Sequence, residues 1–256
     1  MSKRQSQHRE SFYDDLAPVY HLKVNWSNRL GKEQPLLDLL TRDSRPAAVL
    51  DLGCGDGGHS DYFAAAGIRY LGIDNSAAML AMAKRQHRHR LVRFHRADLR
   101  KLPRLSPPPF DLCLLLGNTL PHLHTQGDLN RLFAAVRRRL SPGGRFAIQT
   151  VNPALLARKS IHFLSPTLAG GTTLFAPFYV RRGVLWDFHM MIHALDAGRL
   201  AATKITTTRL RFWSKAEITR MAATAGFRLA ATFGNAALAP YQPRQSENLI
   251  LVFERA

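Results

Sequence analysis

Between residues 47 and 152, short apolar runs of strand length alternate with segments whose apolar positions recur at helical spacing. The runs are Ala47–Leu50, Arg69–Asp74, Leu91–His95, Phe110–Leu116 and Arg145–Val151. Helical patterns lie between them, at His59–Ala66 with Gly67 as stop, Ser76–Arg85 with Asn75 or Ser76 as cap, and Asp128–Leu140. Apolar strands separated by helices predict a parallel sheet covered on both faces. Residues 11–40 read as helical, with a possible cap at Ser11, an interruption at Pro18 and a second helix over Asn28–Leu40. The alternation stops at Asn152. Residues 153–173 read as irregular, with a short helix at Ala154–Lys159, and 174–180, 184–195 and 199–212 then read as antiparallel strands. Asp196-Ala197-Gly198 fits a hairpin turn. A helix over Ser214–Ala225, with Glu217 at capping-box spacing and Gly226 as stop, leads to strands at 227–234 and 248–253. Four regions follow: a helical cap (1–46), an α/β core (47–152), an antiparallel lid (153–212) and a final helix with closing strands (213–256).

Composition narrows the class. A chain of 256 residues with 46% hydrophobic content suits one α/β domain with an insertion, or at most two small ones. No apolar run approaches the ~20 residues of a membrane helix. Met1–Glu10 is polar, lacks the apolar core of a secretory signal and reads as a frayed tail, so a cytoplasmic protein is expected. Cys54 and Cys113 have no partners at metal spacing and read as small buried fillers, so no metal is expected. The formal charge of +18 is the outlying number. It attracts polyanions, but arginine is spread along the whole chain, and the basic run Lys84–Arg96 reads as a solvated face at a helix C-terminus.

The candidate chemistry gathers around Ala47–Gly58. Gly53, Gly55 and Gly58 satisfy G-x-G-x-x-G, a pattern shared by dinucleotide sites. Asp51, just before the glycines, would repel a pyrophosphate and favour an ammonium or sulfonium. Asp74 ends the second strand, seventeen positions beyond Gly57, where an acid can bind ribose hydroxyls. Asp98, beyond the third strand, is either an adenine contact or a turn cap. Tyr13, Tyr20 and Trp26 are either a lid over the site or the packing face of their helices. His122, after the fourth strand, and His189 and His193, in the insertion, are candidate bases.

Taken together, Val-Leu-Asp-Leu-Gly-Cys-Gly-Asp-Gly, Gly72-Ile73-Asp74, Ala97-Asp98-Leu99 and Leu140-Ser141-Pro142-Gly143-Gly144 resemble the class I S-adenosylmethionine-dependent methyltransferases. Phe12–Ala17, Tyr20-His21-Leu22, Trp26 and Gly117–Leu123 are similar to a bacterial group related to the glycine/sarcosine N-methyltransferases. The chain departs from that group with Asn25 in place of an acid, and the basic residue it expects is Lys32 or Arg29. The resemblance implies a doubly wound Rossmann-like sheet with N-terminal helices and an antiparallel insertion or lid. It implies S-adenosyl-L-methionine as cofactor. Asp51, Gly53, Cys54, Gly55 and Leu116 would lie along its methionyl part, Asp74 and Asn75 at the ribose, Ala97, Asp98 and Leu99 at the adenine, and Tyr20 and Trp26 above it. His122 and Asn118 would stand on the catalytic side. The implied activity is in-line methyl transfer to a small-molecule acceptor, at nitrogen before oxygen, in a pocket roofed by the N-terminal helices and the insertion. The alternatives are an RNA methyltransferase using the basic surface, a non-catalytic methyltransferase-like binding protein and, more distantly, a dinucleotide oxidoreductase. Gly117-Asn118-Thr119-Leu120 differs from the Asn-Pro-Pro-Tyr type of motif that handles flipped bases.

Overall fold

The computed structural model describes residues 3–42, 46–102 and 109–256, with side chains from residue 12 onward. Helices α1 (Lys3–Lys23) and α2 (Trp26–Arg42) precede a core of β1 (Ala48–Leu52), α3 (His59–Ala65), β2 (Arg69–Asp74), α4 (Ala77–Gln86), β3 (Val92–Arg96), β4 (Phe110–Leu115), α5 (Gln126–Arg137) and β5 (Leu140–Val151). Next come α6 (Pro153–Leu156), β6 (Ile161–Phe163), β7 (Thr167–Ala169), β8 (Thr173–Arg182), β9 (Leu185–Asp196) and β10 (Arg199–Leu210). The chain closes with α7 (Lys215–Thr224), β11 (Phe227–Phe233) and β12 (Asn248–Arg255).

The main sheet has seven strands in the order β3-β2-β1-β4-β5-β12-β11. The pairs from β3 to β5 are parallel, and β12 and β11 add antiparallel to β5. Every residue of β1 is buried, as expected of a parallel strand between two helical layers. One apolar core packs α5 and α7 on one face, around Phe133, Phe146, Trp213 and Phe253. The other packs α2 and α3, around Leu36, Leu37, Leu40 and Phe63. The chain builds outward from β1 through β2 to β3, then returns to β4 and builds the other way. The crevice between the carboxyl ends of β1 and β4 is thus a topological switch point, where open α/β sheets bind ligands.

The second sheet is antiparallel, ordered β10-β9-β8-β6 with β7 also paired to β8. Its inner face buries Phe175, Met190 and Ile192 against Phe12 and Leu16 of α1. Fully burying one such side chain contributes about 1.5–3 kcal/mol, so this contact fixes α1 in place.

Several expectations are corrected. α1 runs unbroken through Pro18, which lies on its exposed side. The same helix begins at Lys3, so the N-terminal segment is helical and not frayed, and Ser11 lies inside the helix and does not cap it. Asn25 caps α2 through the Asn28 N–H. Ser141–Gly144 loops out within β5, where the pairing to β4 shifts register, and does not simply precede the strand. The segment 153–173 contains β6 and β7, each too short to show a period in sequence. The loop expected at 103–109 lies outside the described residues except for Pro109. Among the described residues no helix is long and apolar enough to cross a membrane.

Candidate active site

A cavity of about 1020 Å³, counting its open mouth, lies at the switch point. Its floor is the glycine turn after β1, the end of β2 and the segment after β4. Its roof is Tyr13 and Tyr20 from α1 with Trp26 and Arg29 from α2. Of the residues expected at a cofactor, Tyr20, Trp26, Asp51, Gly53, Cys54, Gly55, Asp74, Asn75, Asp98, Leu99 and Leu116 all line it.

The glycines have separate tasks. Gly55 has φ +59°, and a Cβ there would meet nothing nearer than the Tyr20 hydroxyl at 3.9 Å, so this part of the turn faces open space. A Cβ at Gly58 would instead lie 2.0 Å from the Trp26 indole. Gly58 is bare because α2 packs there, not because a ligand approaches it. Trp26 Nε1 donates to both Asp56 oxygens, at 2.9 and 3.0 Å, which seats the indole over the turn. Burial raises the pKa of Asp56 despite that bond.

Asp74 receives the Gly55 N–H on Oδ2 and the Ser76 N–H on Oδ1, each at 2.9 Å. It therefore ties the glycine turn to the start of α4 while lining the cavity. Burial raises its pKa against those two bonds. Asp98 carries both roles its sequence position allowed. It accepts from the Arg100 N–H at 2.9 Å, capping the short helical turn Leu99–Lys101, and pairs with the Arg100 guanidinium, while also lining the cavity. Cys54 lines the cavity as a buried thiol whose pKa burial pushes well up, so it is a neutral wall.

A chain of ionisable groups runs from the cavity, which Asp51, His59 and Arg29 line, to Glu33 and Tyr70. Asp51, 1% exposed, accepts on Oδ2 from the Tyr70 hydroxyl at 2.7 Å and contacts His59 Nδ1 at 3.1 Å. His59 Nε2 is 2.9 Å from Glu33 Oε2, and Arg29 Nε donates to Glu33 Oε1 at 3.0 Å. The Arg29 guanidinium lies 4.6 Å from the Trp26 ring centroid and lines the cavity beside Gly117. Of the two basic candidates, Arg29 is thus at the site, and Lys32 is exposed outside it. One face of Trp26 is occupied by this guanidinium. His59, Glu33 and Tyr70 were not anticipated. Arg29 and Glu33 stand at i,i+4 on a helix, a legible pair, but nothing local joins them to His59.

Other expected residues lie elsewhere. Ala97 does not line the cavity; it packs at the edge of the core beside α5. Asn118, at φ 66°, turns its Oδ1 to the Thr150 hydroxyl (3.1 Å) and the Val151 N–H (3.0 Å). It pins the segment after β4 to β5 and does not line the cavity. His189 and His193 point to the outer face of the second sheet, bonded to Thr207 and Thr203. Their neighbours Met190 and Ile192 take the inner face, as strand alternation requires. Among the described residues none from 153–212 lines the cavity. The insertion backs α1, and the roof itself is α1 and α2.

His122 is at the site. It ends a short helical turn, Leu120–His122, and its Nε2 is 3.0 Å from the Tyr13 hydroxyl, with both residues lining the cavity. Burial, with the neighbouring phenols and the Asp74 carboxylate adding to it, pushes the Tyr13 phenol far above its ordinary pKa. The phenol therefore stays protonated, and it shares one hydrogen bond with His122 Nε2. Thr119, Met79 and Leu123 complete an apolar wall.

Comparison with known proteins agrees with this geometry. A family model described as a methyltransferase domain matches residues 49–144. A glycine/sarcosine N-methyltransferase of Parasynechococcus marenigrum (strain WH8102) is 30% identical over 136 residues, 52% of this chain and 48% of that one. A trans-aconitate 2-methyltransferase of Methylobacterium nodulans is 37% identical over 125 residues, 46% of this chain and 44% of that one. The chain thus matches about half the length of these curated relatives. The solved structure of the CcbJ methyltransferase from Streptomyces caelestis superposes with a TM-score of 0.81 at 23% identity, covering 96% of this chain and 99% of that one.

Proposed function

We propose that the chain is a class I S-adenosylmethionine-dependent methyltransferase and that it transfers a methyl group to a small-molecule acceptor, at an amine nitrogen. The observation that carries the reading is the placing of Asp51, Asp74 and Asp98 along one cavity at the ends of β1 and β2 and just beyond β3. That order suits a ligand with a cationic end, a ribose and an adenine. Gly55 leaves open the space a Cβ would fill.

Bound S-adenosyl-L-methionine supplies a methyl group already activated on a sulfonium. The chain then has to bind, orient and exclude water. Asp51 would receive the methionyl ammonium, and Arg29, held by Glu33, the carboxylate. Asp74 would accept the ribose hydroxyls with Asn75 beside it. Asp98 and Leu99 would hold the adenine. Tyr20 and Trp26 cover the turn; burial pushes the Tyr20 phenol up to about 12, so it is a neutral donor there. An attacking amine must be neutral. With Tyr13 donating to His122 Nε2, the pair would relay a proton: the acceptor nitrogen gives its proton to the Tyr13 oxygen as Tyr13 passes its own to Nε2.

A small acceptor fits a site roofed by two helices better than a polynucleotide does, so the basic surface is read as incidental to catalysis. Nitrogen is preferred over oxygen on the likeness to the glycine/sarcosine N-methyltransferase. The test is methyl transfer from labelled cofactor to a panel of amines, phenols, carboxylic acids and tRNA, repeated with His122→Asn and Tyr13→Phe. Incorporation into an amine, lowered in both variants with cofactor affinity kept, supports the reading. Incorporation into tRNA alone overturns it.

A further inference from the structure

One imidazole that lines the cavity, His59, has no part in the methyl transfer proposed above. His59, 3% exposed on the first turn of α3, stands between carboxylates from two other elements, Asp51 on β1 at 3.1 Å and Glu33 on α2 at 2.9 Å. Each carboxylate has one further anchor: the Tyr70 hydroxyl of β2 on Asp51, and the Arg29 guanidinium of α2 on Glu33. The Trp26 ring stands edge-on to the imidazole at 5.0 Å and carries Asp56 of the glycine turn on its indole N–H. Among the described residues, the charged and titratable groups facing His59 are therefore Asp51, Glu33, Arg29, Tyr70 and Asp56.

A neutral imidazole has one N–H. It can satisfy one of the two carboxylates and must turn a lone pair on the other. The imidazolium donates to both. With it, Asp51, Glu33, His59 and Arg29 sum to zero charge; without it, one buried negative charge is left uncompensated.

Resting on the methyltransferase reading above, we propose that His59 is a positioning residue. As a doubly protonated bridge it latches α2 to β1, so that Arg29 and Asp51 meet opposite ends of one zwitterionic amino-acid group on the cofactor. Burial opposes charge on the ring, but the hydrogen bonds to Asp51 and Glu33 outweigh it and raise the pKa of His59. Burial likewise opposes charge on Glu33, and its bonds to His59 and Arg29 outweigh that and lower its pKa. The latch is therefore complete below the raised pKa of His59 and opens as pH rises through it.

The experiment is calorimetric titration of the full chain with S-adenosylhomocysteine between pH 6 and 9, for wild type, His59→Gln and Glu33→Gln. Comparing variants at each pH cancels the titration of the ligand's own amine. His59→Gln should bind about tenfold more weakly than wild type at the acid end, the 1.4 kcal/mol of one charge-assisted hydrogen bond. The difference should vanish at the alkaline end. Glu33→Gln should move the pH-dependent loss of affinity to lower pH, because one of the two carboxylates holding the proton is gone. A His59→Gln to wild-type ratio that is constant across pH, or equal affinities at pH 6, overturns the proposal. Nitrogen-15 NMR of the ligand-free wild type decides it independently of any variant's folding. Both ring nitrogens of His59 should be protonated at pH 7, and a neutral ring overturns the latch. If folded wild type binds no S-adenosylhomocysteine at all, the methyltransferase reading fails, while the NMR result still decides the state of His59.

Discussion

Gly58→Ala is the sharpest single perturbation of the roof. Gly58 has φ −59° and ψ −21°, which any L-residue adopts, so the substitution strains no backbone. The whole effect is steric. The new Cβ would lie 2.0, 2.1 and 2.5 Å from three atoms of the Trp26 ring, whereas carbon contacts settle at about 3.5–4.0 Å. The indole must therefore retreat by about 1.5 Å, a distance that breaks its hydrogen bonds to Asp56. Losing a hydrogen bond to a charged group costs about 1.5–3 kcal/mol, and forcing a methyl into a packed contact costs about 1–3 kcal/mol. Because one movement relieves the clash by breaking the bond, the two do not add, and the expected loss is about 1.5–3 kcal/mol. For a chain of this length that lowers Tm by about 4–10 °C. Scanning calorimetry measures it, with S-adenosylhomocysteine affinity read in parallel and expected to weaken. In a Trp26→Ala background the clash is absent, and Gly58→Ala should cost less than about 0.5 kcal/mol. Equal destabilisation in both backgrounds, or none in either, would refute the role given to Trp26.

Asp74→Ala is expected to weaken cofactor binding by about 1.5–3 kcal/mol, the range for losing a hydrogen bond to a charged group; an unchanged dissociation constant in a folded variant counts against a ribose contact. Asp128 closes a capping box at the start of α5, accepting from Thr125, and pairs with Arg131. Burial opposes its charge, but these partners outweigh that and lower its pKa. A depressed folded pKa means that its contribution is complete above the ordinary carboxylate range and is lost as pH falls through the folded value. Asp128→Asn should therefore unfold more easily at neutral pH, by about 0.5–2 kcal/mol, and the urea midpoints of variant and wild type should converge in acid. RNA binding through Lys84, Arg88, Arg90 and Arg93, which line a shallow groove, should be weak and fall steeply with salt; tight, salt-resistant binding to one RNA with methyl incorporation would reinstate a nucleic-acid substrate.

Elements with strong local signals were legible. The strand over Arg69–Asp74 was read with the ends the structure has, and Ser76 and Ser214 cap their helices as their positions suggested. The acids at the strand ends were legible too, because Asp51, Asp74 and Asp98 sit at fixed offsets from apolar runs. What escaped depends on contacts far apart in sequence. Glu33, His59 and Asp51 meet only when α2 docks on the glycine turn, and no spacing announces that. Thr125 and Asp128 form a capping box whose spacing the sequence shows, so α5 starts at Gln126, two residues before the helix expected from Asp128. Gly58 looked like part of a ligand-binding pattern, yet its missing side chain makes room for Trp26. Asn118 stood in a catalytic-looking segment but serves β5, since the backbone after β4 needs an anchor for its left-handed turn.

The central claim is the identity of the ligand held by Asp51, Asp74 and Asp98. Isothermal calorimetry of the full chain with S-adenosyl-L-methionine, S-adenosylhomocysteine and NAD tests it most directly. The account predicts saturable binding of the first two and no heat from NAD, because Asp51 faces the place a pyrophosphate would occupy. Binding of NAD with no heat from S-adenosyl-L-methionine would contradict it.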